Sequence, residues 1–136
     1  MSNDLYQETI LDAYAHPENF GVLEHADVSY QEFNSSCGDD VTVYLKFSPE
    51  QRVSEITWQG VGCAISMATM SLLSMTIRGK TLDQLFGLGK KDLEELVGIT
   101  EISPGREKCL LLGLKAVHHT LAIKFKDSGP QLEEAT

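Results

Sequence analysis

Three cysteines and an aspartate carry the residue types best suited to chemistry here: Cys37, Asp39, Cys63 and Cys109. Thiolates bind soft metals and attack sulfur donors, and a carboxylate adds a harder, exchangeable ligand. Together they could form a complete tetrahedral set for zinc, or three soft ligands and a labile one for iron. Cys63 has the most telling surroundings. It follows the stretch Ile56 to Gly62 and precedes a long apolar run, Ala64 to Ile77. The alternation of Ile56 and Trp58 reads as the end of a strand. Gly60 and Gly62 read as its break, and the apolar run reads as a helix. A thiol at such a junction lies in the positive end of the helix dipole, which favours thiolate.

Spacing alone leaves the reading open. The chain has no Cys-x-x-Cys pair, so neither a zinc ribbon nor a ferredoxin run is indicated. Three separate structural cysteines and one shared site both fit these positions. The histidines carry less weight. His118 and His119 point to different faces of a helix, at the solvent or the core edge, while His16 and His25 flank a loop and read as surface. Lys108 could favour a thiolate at Cys109, or be an ordinary helix-surface lysine.

The elements that must position these residues follow from pattern. Residues 4–14 read as a helix with Leu5, Ile10 and Ala13 on one face, ended by His16 and Pro17. Residues 26–33 alternate as a first strand, and 34–40 are turn chemistry containing Cys37 and Asp39. Residues 41–47 give the clearest strand, with Val41, Val43, Leu45 and Phe47 facing one way. A hairpin at Ser48 to Gln51 returns the chain as a third strand from Val53 to Gln59. The helix 64–77 is apolar around most of its circumference and is expected to be deeply buried. Thr81 to Gln84 is a capping-box pattern opening a short helix, and 90–97 form another. Ser103 and Pro104 open a final helix to about Lys126, with Leu110, Leu114, Val117 and Leu121 as its apolar stripe. Residues 127–136 read as a frayed polar tail. Strands first and helices afterwards imply an α+β fold: one domain over 1–136, a three-stranded antiparallel sheet packed against several helices.

Composition narrows the classes of function. A chain of 136 residues with 42% hydrophobic content is large enough for a sizeable core. Its net charge of −9 argues against nucleic acid and against anionic membrane surfaces as partners. The longest apolar stretch is interrupted by Ser66, Thr69, Ser71 and Ser74, which suits a core helix rather than a membrane span. The opening residues show no basic region followed by an apolar one, so no secretion signal is expected. With three cysteines, that points to a cytoplasmic protein with free or metal-bound thiols.

Four stretches resemble the U-type iron–sulfur cluster assembly proteins, the IscU/SufU family with the N-terminal part of NifU. They are His16 to Gly21, Asn34 to Asp39, Gly60 to Ser66 and Arg106 to Cys109, within a match over roughly residues 4–126. The resemblance implies a three-stranded antiparallel sheet covered by helices. It implies that Cys37, Asp39, Cys63 and Cys109 hold a transient Fe–S cluster, of the 2Fe–2S type, or a zinc ion. It also implies a cysteine desulfurase as sulfur donor and apo Fe–S proteins as recipients. Two departures blur the branch. Lys108 stands where the IscU branch has histidine, and Ile102 to Arg106 is a poor copy of its chaperone-binding segment. Arg106 to Cys109 is in SufU style, yet 64–108 is too short for the extra SufU helix.

Three functions are therefore carried forward. The first is an assembly scaffold in which Asp39 is the labile ligand. The second is a zinc-dependent sulfurtransferase using the same four residues, and the third is an adaptor with a structural zinc. Cys109 is the expected first sulfur acceptor, with Cys37 the main alternative, because Lys108, Arg106 and the helix dipole all favour its thiolate. Cys63 is expected to be less accessible, because a buried helix follows it.

Overall fold

The computed structural model describes residues 2–34, 38–99 and 104–125, with backbone alone for 2–7. The elements are α1 (Ser2–Ala15), β1 (Val28–Asn34), β2 (Asp39–Phe47), β3 (Val53–Val61), α2 (Ala64–Ile77), α3 (Leu82–Phe86), α4 (Lys90–Val97) and α5 (Pro104–Lys124). The strands form one antiparallel sheet in the order β1-β2-β3, so the α+β architecture agrees with the pattern of strands before helices. The expected tail, 127–136, lies outside the described residues, and the last helix ends at Lys124 rather than Lys126. No helix among the described residues is long and apolar enough to cross a membrane.

Strand alternation sets which side chains meet the helices. Val41, Val43 and Leu45 are fully buried, and Asp39 ends the same inward row at 4% exposure. Two sequence boundaries are corrected here. The stretch read as a turn to residue 40 already belongs to β2 from Asp39, and β3 continues past Gln59 to Val61. Gly60 does not break the strand: it pairs with Val41. A Cβ at Gly60 would lie 2.5 Å from the Asp40 carbonyl oxygen, so only glycine lets the two strands stay this close. The extra ladder steps carry β2 and β3 to the end of the sheet where Asp39 and Cys63 lie.

The helices cover one face of the sheet. α2 is buried around most of its circumference, as its apolar run implied. Its buried hydroxyls are satisfied locally: Thr69 donates to the Ile65 carbonyl and Ser74 to the Ser71 carbonyl, both at 2.6 Å. Ser71 accepts from the Glu18 N–H at 2.8 Å, and Ser74 accepts from the Asn19 side-chain amide at 3.0 Å. The Glu18–Gly21 loop thus closes the outer edge of β3. The Trp58 N–H donates to Asn19, the Gly21 N–H to Trp58, and the Trp58 indole N–H to Glu18. α5 crosses α2 closely, since a Cβ on Gly113 would stand 2.7 Å from the Met70 sulfur. Its predicted stripe, Leu110, Leu114, Val117 and Leu121, is buried.

Candidate metal centre

Each ligand candidate comes from a different element. Asp39 opens β2, Cys63 follows β3, and Cys109 lies in the second turn of α5. One ligand atom from each of Asp39, Cys63 and Cys109 lies within 4.8 Å of the other two. Tetrahedral thiolate ligands about 2.3 Å from zinc stand about 3.8 Å apart, so a contraction of up to about 1 Å completes the geometry. Cys37 lies outside the described residues. Its neighbour Gly38 has φ +74° and donates its N–H to the Asn34 carbonyl at 2.9 Å.

Cys63 is the N-cap of α2. Its backbone is extended (φ −75°, ψ 168°), and its sulfur accepts the Ser66 N–H at 3.4 Å. The strand-to-helix junction expected from the glycines and the apolar run is therefore present, one residue beyond the end of the ladder and its Gly62 spacer. Gly62 has a specific task. A Cβ there would lie 2.6 Å from the Ser66 hydroxyl oxygen and 2.8 Å from the Asp39 carboxyl carbon. Any larger residue would force at least one of these groups, or the backbone between them, to shift.

Asp39 supplies the test of whether the donor set fits a metal. Its Oδ2 is buried and has no hydrogen-bond partner among the described residues. Leaving a buried carboxyl oxygen unpaired costs about 1–3 kcal/mol, and a cation would recover that cost. Two thiols within reach make that cation a soft or borderline metal. The donor set fits zinc or iron.

Accessibility differs from the sequence expectation. Cys63 is exposed, whereas Cys109 is only 8% exposed. The N-cap position holds Cys63 outside the first turn of α2, while the second turn of α5 faces the core. The site is thus open at Cys63 and closed at Asp39 and Cys109. Arg106 and Lys108 are exposed on the same helix. Lys90 reaches Glu107 at 3.4 Å and ties α4 to the first turn of α5.

The histidines stay out of this cluster. His118 donates from Nε2 to the Leu85 carbonyl at 2.8 Å, and burial lowers its pKa from the usual 6.5. His119 meets Glu32 of β1 at 2.5 Å. His16 and His25 are exposed. Two features went unread in the sequence. Ser66 could have been found from its place three residues after the cap. The groove of about 390 Å³ beside Gly60–Gly62, lined by Tyr14, Phe20, Trp58 and Met67, depends on the long-range fold and has no local signal.

A three-stranded antiparallel meander under helices, with two thiols and a carboxylate gathered at one end, defines a small α+β protein with a candidate metal site. The chain belongs to the family described as NifU-like N terminal domain, which it matches over residues 5–128. It is 34% identical to the iron–sulfur cluster assembly scaffold protein IscU of Aquifex aeolicus, over 96% of this chain and 82% of that one. It is 30% identical to the zinc-dependent sulfurtransferase SufU of Bacillus subtilis, over 87% and 90% of the two chains. The crystal structure of a nitrogen-fixing NifU-like protein (N-terminal) from Brucella abortus shares the fold, with a TM-score of 0.78 at 22% identity, covering 93% of this chain and 98% of that one.

Proposed function

We propose that this chain is a cytoplasmic scaffold for iron–sulfur cluster assembly. The observation that carries the reading is the buried Asp39 oxygen, without a hydrogen-bond partner among the described residues, beside two thiols from distant elements. Cys37, Cys63 and Cys109 receive sulfur from a cysteine desulfurase and ligate the growing cluster, of the 2Fe–2S type. Asp39 is the fourth ligand. A hard carboxylate among soft thiolates exchanges readily, which suits a site whose cargo must leave for a recipient apo-protein. Cys109 is the first sulfur acceptor in this reading. Its burial then requires the start of α5 to open when the donor docks.

The 30% identical SufU of Bacillus subtilis supports a second reading, in which the same four residues hold zinc and one cysteine leaves the metal to carry sulfur. Anaerobic purification with iron, zinc and acid-labile sulfide analysis separates the two. The scaffold reading expects iron and sulfide in equal amounts after reconstitution with a desulfurase. Tightly held zinc that excludes iron, with sulfide never rising, overturns it. A structural zinc adaptor would instead lose its fold with a chelator.

A further inference from the structure

We propose that Ser66 is a positioning residue for Cys63, and that its hydroxyl turns onto the sulfur when the sulfur becomes a metal ligand. This rests on the metal-holding reading above and names a residue that governs how firmly Cys63 holds on. Ser66 is 1% exposed, so its hydroxyl cannot turn to solvent. It is bonded to Cys63 in two ways. The Cys63 thiol donates to the Ser66 oxygen at 3.6 Å, and the Ser66 O–H donates to the Cys63 carbonyl at 3.0 Å. The Ser66 backbone N–H also points at the sulfur, at 3.4 Å. The same hydroxyl and the Asp39 carboxyl crowd the space where Gly62 lacks a Cβ, so it forms part of the wall of the site.

Ligation reverses the polarity of the sulfur–hydroxyl contact. As the metal–sulfur bond forms, the thiol proton leaves to solvent. The sulfur is then an acceptor only. Rotation of the Ser66 O–H moves its proton from the carbonyl to the sulfur without moving a heavy atom. The hydrogen bond so formed is charge-assisted and stronger than the one it replaces. With the N–H, the sulfur then has two donors, both drawing density away from the metal. That weakens the metal–sulfur bond and favours release.

The same helix contains a built-in control. Thr69 is also fully buried, but its hydroxyl donates to the Ile65 carbonyl and not to Cys63. Cobalt(II) serves as the probe, because its sulfur-to-metal charge-transfer band reports the ligand sulfur directly. Ser66→Ala keeps the N–H and removes only the hydroxyl. We expect its band to move to longer wavelength and cobalt release to a chelator to slow about tenfold, equivalent to about 1.4 kcal/mol. Thr69→Ala should leave both at wild-type values. An unmoved band in Ser66→Ala, or an equal shift in Thr69→Ala, overturns the inference while leaving the metal site standing. A wild-type protein with no cobalt–sulfur band overturns both. Wild-type protein loaded with NMR-active cadmium gives a check that needs no variant to fold: a coupling from the Ser66 hydroxyl proton to the metal is expected, and its absence refutes the proposal.

Discussion

Gly62 and Asp39 are packed so that a Cβ on Gly62 would stand 2.8 Å from the Asp39 carboxyl carbon. The contact is with the carboxyl group of a short, buried side chain, which has little room to swing away. Gly62→Ala must therefore move Asp39, Ser66 or the backbone linking β3 to α2. Overpacking of this kind costs about 1–3 kcal/mol. The expected outcome is a folded protein with metal affinity down at least roughly tenfold, the equivalent of about 1.4 kcal/mol. Zinc titration alongside urea unfolding checks it. Unchanged affinity would mean the carboxyl does not reach the metal.

Asp39→Ala should act in opposite ways on two measurements. Without metal, the variant loses a buried oxygen that has no partner among the described residues, and its stability is expected to rise by about 1 kcal/mol. With an Fe–S cluster bound, the exchangeable ligand is gone, so transfer to an apo-ferredoxin should slow while loading persists. Faster transfer than wild type would remove Asp39 from its assigned role.

Much of this site could be read in the sequence because its parts are local. Glycines before Cys63 and an apolar run after it suffice to place a thiol at a helix start. The place of Asp39 in β2 was harder. Turn-like residues around Cys37 and Gly38 hid the fact that the inward alternation of Leu45, Val43 and Val41 continues back to it. Gly60 misled for a related reason. Glycine usually weakens a strand, but here its missing side chain lets β2 and β3 stay paired. Burial of Cys109 depends on how α5 lies on the sheet and α2, which no local pattern encodes.

His118 makes the fold sensitive to mild acid. Desolvation by burial is the largest cause lowering its pKa below 6.5; the Leu85 carbonyl opposes this and His119 adds to it. The unfolded chain therefore binds more protons than the folded one below the unfolded value. The stabilising contribution is complete above about pH 6.5 and is lost as pH falls through the lower folded value. The urea midpoint should drop between about pH 7.5 and about pH 5. The drop should shrink in His118→Gln. A drop of the same size in the variant would assign the sensitivity elsewhere.

The thiols should react in two different orders, depending on who attacks. A small alkylating reagent meets the metal-free protein as it stands, so exposed Cys63 should be labelled before Cys109, which is 8% exposed. In the proposed function a cysteine desulfurase brings its persulfide on a docked surface, and the start of α5 must open to admit it. The Arg106 and Lys108 cations and the helix dipole then favour the Cys109 thiolate as the attacking group. Attack by that thiolate on the outer persulfide sulfur forms the new S–S bond and releases the donor cysteine as thiolate. Mass spectrometry after mixing with a desulfurase and cysteine should find that Cys109→Ser gains little persulfide, while Cys63→Ser gains it at close to the wild-type rate. Zinc content must be matched across the variants, because a bound metal shields every thiol it holds. If Cys109→Ser is persulfidated at the wild-type rate, the acceptor is another cysteine, and the order seen with the small reagent says whether exposure alone selects it.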